Sequence, residues 1–262
     1  MNNPVPALPS ATVVMLRECA GPPELLMVKR RSGDAFGDSY AFPGGVVDHD
    51  ESAAHGLIDG ITPEEADAIL HLPTNGLDYY SAAIRELFEE TGILLARTDD
   101  GAWANVTPQL QDLRVDVDKG RLPWSEFLGQ QGLRIACDAL HYFAYWQTPL
   151  DRHKRWSTRF FLAAAPAGQD ALHDGSEVTD SRWLTARQAF DGARDRSMKL
   201  PLPTIRNLRN MEHCQSVDEM IAWAKANQRE GIIKLRPILI ERDGKSHWTV
   251  WGDKDYPADR PL

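Results

Sequence analysis

Residues 78–91, DYYSAAIRELFEET, read as a helix with Asp78 as N-cap and Gly92 as the C-terminal stop. Its acidic side chains Glu86, Glu89 and Glu90 fall at i, i+3 and i+4, which at about 100° per residue puts all three on one face. Such a face repels itself. Glu89 and Glu90 also sit in the last turn, where the helix dipole presents its negative end, and Arg85 is the only cation within the helix. One cation cannot neutralise three carboxylates. Two readings follow: a solvated acidic face, or a divalent-metal site in which the carboxylates supply oxygens to Mg²⁺ or Mn²⁺ and waters complete the shell.

The surrounding chain interleaves strand and helix signals. Two apolar runs, ATVVML at 11–16 and ELLMVKR at 24–30, flank Gly21-Pro22-Pro23 and predict a hairpin. After a polar loop at 32–39, residues 40–47 (YAFPGGVV) form a strand broken by Pro43, Gly44 and Gly45, followed by the acidic run 48–51. Thr62 caps a helix to about Leu72, with Pro63 at its first position and Glu65 completing a capping box. A strand starts at Ile93, helices lie near 106–119 and 124–132, and apolar strands span 140–146 and 158–164. Next come a strand at 181–184, a helix capped by Thr185, helices at 202–211 and 216–227, and a closing strand at 232–241 before a hairpin ending near Trp251. The expected class is α/β or α+β around a mixed sheet.

The helix has a partner pattern upstream. Glu51 follows Gly45 with five residues between, and the run from Arg85 to Ile93 reads RELFEETGI. Together these residues resemble the signature of the nudix hydrolases: Gly, five residues, Glu, a spacer, then Arg-Glu-apolar-x-Glu-Glu-x-Gly-apolar. The right half agrees at every specified position. The spacer departs, because 33 residues separate Glu51 from Arg85 where the family's pattern has about seven. An insertion at about 52–78, holding the Thr62 helix, explains the excess, and loop closure costs little more for the added length. An interrupted box of this kind is similar to the peroxisomal coenzyme A diphosphatase branch, and further similarity runs through residues 40–54, 139–141, 156–162, 177–183, 200–204 and 235–239.

The resemblance implies an α/β fold, a nudix-type α/β/α sandwich around a mixed sheet, with a helical insertion in the box and a C-terminal helical annex. It implies one domain over 1–262, with additional helices about 99–135 and 202–230. The implied reaction is metal-dependent hydrolysis of a diphosphate linkage in a nucleoside diphosphate conjugate, coenzyme A or acyl-coenzyme A first. ADP-ribose or dinucleotide pyrophosphatase, and a non-catalytic ligand-binding module, are the alternatives. Glu86, Glu89 and Glu90 are the expected metal ligands, with the Gly44 carbonyl as a possible fourth oxygen and Mg²⁺ or Mn²⁺ as the ion. Arg85 and Glu51 are expected to orient those carboxylates. Glu177, ahead of the Trp183 strand, is a candidate general base, or else a solvated carboxylate in the acidic DGSEVTD run.

Other residues carry two readings. Lys29, Arg30 and Arg31, at a strand end close to the glycine loop, contact substrate phosphates or solubilise the strand end, and Gly45 is an expected substrate-binding position. Arg152, Lys154, Arg155 and Arg159 flank the Trp156 strand as a possible second phosphate patch, and Trp146, Trp156 and Trp183 pack in the core or stack on a base. Composition excludes broad classes. With 29 basic and 38 acidic residues the net charge is -9, which disfavours duplex nucleic acid and basic membrane-surface roles and leaves a small phosphorylated ligand as the expected partner. Three distant cysteines, Cys19, Cys137 and Cys214, suggest neither a zinc site nor a disulfide framework and fit a reducing compartment. No targeting or membrane segment is read at either end, including the final DRPL, so the expected location is cytoplasmic.

Overall fold

The computed structural model describes residues 4–33, 37–173, 175, 177–242 and 244–257. Parts of the polar loop at 32–39, of the acidic run around Glu177, and both chain ends lie outside these residues. The chain opens with β1 (Leu8–Arg17) and β2 (Glu24–Arg30), an antiparallel pair joined at Leu16↔Leu25, as the two apolar runs predict. The broken strand becomes β3 (Tyr40–Ala41), paired with β2, and β4 (Gly44–Val46), paired with β1. The insertion folds as a 3₁₀ turn (Glu51–Leu57), β5 (Ile58–Asp59) and α1 (Pro63–Leu70), the last with the expected Thr62–Glu65 capping box.

The carboxylate helix, α2 (Gly76–Thr91), begins two residues before Asp78. Its cap is non-local: the Gly76 N–H donates to Asp67 Oδ1 of α1 at 2.6 Å, while Asp78 pairs with His55 at 2.7 Å. Gly76 is required there, since a Cβ would stand 2.5 Å from the Ala66 backbone carbon. Then follow β6 (Ala96–Thr98), α3 (Pro108–Asp118), α4 (Trp124–Gln131), β7 (Leu133–Ala136), β8 (His141–Gln147), β9 (Trp156–Ala164) and β10 (Val178–Leu184). Helices α5 (Ala186–Arg194), α6 (Leu202–Met211) and α7 (Val217–Glu230) lead to β11 (Lys234–Leu235), β12 (Ile238–Arg242) and β13 (Lys245–Thr249). The predicted closing strand is therefore two strands. Pro237 has no N–H to give a ladder, so β11 pairs with β8 and, beyond the proline, β12 turns to β13.

The main sheet has the order β10-β2-β1-β9-β8-β11, mixed because β1 and β9 run parallel from Leu8↔Trp156 to Leu16↔Ala164. Alternation along β1 separates two cores. Ala11, Val13 and Met15 face α1, α2 and α4, whereas Val14 and Leu16 face α5, α6 and α7. This is the expected α/β/α sandwich. A small second sheet, β5-β7-β6, joins the insertion to the α2 side, where Ala54, Ile58, Ala66 and Leu70 share the core with Leu87 and Phe88. Along one edge of β1, β2 pairs only at Leu16 and Arg17, and β4 takes its place at Ser10–Thr12. That switch brings the two glycines against the end of α2.

Candidate active site

Gly44 and Gly45 are both required, for different reasons. Gly44 has φ +149°, and a Cβ there would lie 2.3 Å from the Ala11 carbonyl oxygen, inside the β1–β4 ladder. At Gly45 a Cβ would lie 2.3 Å from the carboxyl group of Glu86, so the missing side chain is the space this carboxyl fills. Glu90 is held from the same loop, accepting from the Gly44 N–H at 3.0 Å.

Two arginines stand among the acidic groups. Arg85 donates from Nε to Glu51 at 2.8 Å and from Nη1 to Glu89 at 2.9 Å; Nη1 also lies 3.1 Å from Glu86, and Nη2 donates to the Val46 carbonyl at 2.9 Å. Glu51, buried with 2% exposure, also accepts from the Ser81 hydroxyl. Glu51 thus meets Arg85, and Arg85 spans Glu86 and Glu89. Arg30 reaches in from β2, with Nη1 3.0 Å from Glu90 Oε1 and Nη2 donating to the Gly44 carbonyl.

Burial sets the electrostatics. It pushes the carboxyls of Glu89 and Glu90 up to about 8, opposed chiefly by Arg85 for the first and by Arg30 for the second. Glu51 and Glu86 are raised by the same cause. The two arginines do not supply enough positive charge for the whole set. Buried Glu90 Oε1, although close to Arg30, accepts no hydrogen bond among the described residues.

A divalent cation suits this donor chemistry: hard anionic oxygens, one of them without a hydrogen bond, beside a backbone carbonyl. Among the described residues no three histidine, cysteine or acidic side chains converge on one point, because the carboxylates are turned to Arg85 and Arg30. Glu86 borders a cleft of about 1100 Å³, floored by Ser10, Thr12, Thr158 and Phe160.

Of the predicted residues, Glu51, Arg85 and Glu89 line a separate, smaller pocket, and others line this cleft. Gly44, Gly45, Arg30, Arg31 and Glu177 line it with Glu86. Glu177 is near enough to the acidic group that its charge raises both Glu86 and Glu90. Arg159 is a correction. It points to the opposite side of β9, 4% exposed, sandwiched between the rings of Tyr79 at 4.4 Å and Tyr145 at 4.6 Å, and donates to the Leu70 carbonyl at 3.2 Å. Alternation puts its neighbours Thr158 and Phe160 in the cleft instead. Arg155 leaves the predicted patch as well, since its guanidinium is spent on the carbonyls of Val5, Thr148 and Pro149. Ser81, which clasps Glu51, and Lys119, which lines the cleft, carry no local signal that sequence reasoning could use.

Comparison with known proteins bears on the family and the fold. The family model described as the NUDT19 Nudix domain matches residues 61–211, a span that includes Arg85, Glu86, Glu89, Glu90 and Glu177. The acyl-coenzyme A diphosphatase NUDT19 of Xenopus laevis is 27% identical over 195 residues, covering 69% of this chain and 51% of that protein. Its human counterpart is 26% identical over 191 residues, 68% and 50% of the two chains, so the chain spans about half the length of the curated relatives it matches. A NUDIX hydrolase structure from Alicyclobacillus acidocaldarius superposes with a TM-score of 0.70 at 23% identity, over 83% of this chain and 96% of that one, which supports the fold. Matched by the model over more than half of its length, the chain belongs to the NUDT19 Nudix domain family.

Proposed function

We propose that this chain hydrolyses the diphosphate linkage of a nucleoside diphosphate conjugate of the coenzyme A or acyl-coenzyme A type, with Mg²⁺ or Mn²⁺. The observation that carries the reading is Glu86 packed into the space of Gly45 at the wall of a cleft large enough for such a ligand, with Arg85 Nη1 3.1 Å from its carboxylate. The curated names of the relatives point to the same linkage.

Glu86, Glu89 and Glu90, with the Gly44 carbonyl, would hold the cation, which when bound draws charge from phosphoryl oxygens and acidifies a water. Arg85 and Glu51 keep the three carboxylates in place. Arg30 and Arg31, at the cleft wall, take non-bridging phosphate oxygens. Glu177, which lines the cleft, accepts the proton of the attacking water in this reading. The water oxygen bonds to one phosphorus, the bridging oxygen leaves on the other, and two phosphomonoesters result.

No helix of the described residues is long and apolar enough to cross a membrane. The unpaired cysteines Cys19, Cys137 and Cys214 support a reducing compartment, and we assign the cytoplasm. The test is nucleotide release from coenzyme A, an acyl-coenzyme A, ADP-ribose and NADH, with Mg²⁺ and after chelation. Turnover of the coenzyme A compounds that stops on chelation is expected. Absence of turnover with every compound would overturn the reading.

A further inference from the structure

The cleft has a second cationic end, remote from α2. Arg152 and Lys154, in the loop between β8 and β9, line it together with Trp156 and Trp248. The Arg152 guanidinium lies 5.2 Å over the Trp248 ring and the Lys154 ammonium 5.2 Å over Trp156. Both cations are exposed, and among the described residues neither forms an ion pair. Most arginines of this acidic chain are committed elsewhere, to carboxylates or buried carbonyls. Two uncommitted cations held over tryptophan faces in one cleft are pre-ordered for an anion.

The register gives the spacing. Gly44 pairs with Thr12, and Trp156 pairs with Leu8 on the same strand. Four residues at about 3.3 Å each separate the two rungs by about 13 Å. The two phosphorus atoms of a diphosphate share one bridging oxygen and lie far closer together than that, so the far end meets a different part of the substrate. An anion carried on the sugar of the nucleoside is set apart from the diphosphate by an intervening group and can reach that end.

Resting on the proposed diphosphatase reading, we infer that Arg152 and Lys154 bind a second phosphate carried on the ribose of the substrate nucleoside. They thereby select nucleoside diphosphates phosphorylated on the sugar over those that are not. The two residues determine specificity and stand apart from the bond that breaks.

The experiment measures equilibrium binding of adenosine 3′,5′-bisphosphate and of AMP by calorimetry, for wild type and for the double variant Arg152→Ala plus Lys154→Ala. Wild type is expected to prefer the bisphosphate by about ten- to hundredfold, as charge-assisted contacts to one phosphate predict, and the double variant to lose that preference with AMP binding unchanged. Equal binding of the two nucleotides by wild type, or a preference that survives in the variant, would overturn the inference. Kinetics separate this from the reaction itself. If bisphosphate selectivity is present but no diphosphate is cleaved, the reaction assignment falls and the subsite stands; if coenzyme A and 3′-dephospho-coenzyme A are cleaved with the same KM in wild type, the subsite falls and the reaction stands.

Discussion

Arg85 and Arg159 are buried to almost the same degree, at 7% and 4% exposure, yet the protein neutralises them in opposite ways. Around Arg85 stand four carboxylates, Asp48, Glu51, Glu86 and Glu89, all within 3.3 Å. Around Arg159 stand two tyrosine rings and one carbonyl, and its Nε makes no hydrogen bond among the described residues. The first environment has more negative charge than its arginine can balance, which is the donor chemistry that suits a divalent cation. The second holds no carboxylate, so its guanidinium is met only by π faces and a carbonyl, and its consequence is packing of β9 against α2. A buried charge is therefore informative about function only together with its surroundings.

The sharpest way to break the comparison is to remove Arg85. Arg85→Gln leaves Glu51 and the helix carboxylates buried without their main counter-charge, and a loss of about 3–5 kcal/mol of stability is expected, read by urea denaturation. Diphosphatase activity should disappear with it. A loss below about 1 kcal/mol would mean that water or other groups already compensate these carboxylates.

Neutralising the carboxylates themselves should separate activity from stability. Glu89→Gln and Glu90→Gln each keep the side-chain shape and remove a buried like charge, so the urea midpoint should hold or rise. The turnover number should nevertheless fall by about two to three orders of magnitude, the scale of a main electrostatic contributor. Wild-type rates in either variant would remove that glutamate from the reacting set.

The two arginines also mark what sequence can and cannot disclose. Arg85, Glu86, Glu89 and Glu90 lie within six residues of one helix, where a 3.6-residue period fixes their mutual placement before any tertiary contact is known. Gly45 and Glu51 were legible only as spacing, and their meeting with α2 depends on β4 replacing β2 beside β1. Arg159 was not legible. Its strand is apolar on both faces, so alternation gives no sign of which face carries the cleft, and Arg152, Lys154, Arg155 and Arg159 read as one patch although the fold sends two into the cleft and buries two. The start of α2 failed for a similar reason: its cap comes from Asp67, nine residues upstream on another helix. The β5-β7-β6 sheet, built of two- to four-residue strands, is too short to show a period.

Removing the second arginine should give the complementary result. Arg159→Met keeps an unbranched chain between the two rings and forfeits two cation–π contacts and the bond to Leu70. A cost of about 1–3 kcal/mol is expected by denaturation, with kcat and KM for the diphosphate substrate within about twofold of wild type. A selective rise in KM would return Arg159 to the substrate site.

The smallest expected effect comes from the same ingredients at a site where the arginine is half exposed. Arg182 lies 5.3 Å over the Tyr40 ring, and the Tyr40 hydroxyl donates to Asp180 at 2.6 Å, with Arg182 half exposed. Burial, reinforced by the Asp180 hydrogen bond, pushes the Tyr40 hydroxyl up to about 12. A hydroxyl whose pKa is raised in the folded chain contributes stability that is complete below the unfolded value of about 10 and is lost as pH rises through the folded value. At pH 7 Tyr40→Phe should thus be less stable by about 1 kcal/mol, the worth of one hydrogen bond. Between pH 10 and 12 the unfolded wild-type chain gains from ionising this tyrosine and the variant cannot, so the gap in melting temperature should shrink and approach zero. A gap constant across that window would show that Tyr40 contributes through packing alone and that its bond to Asp180 adds nothing.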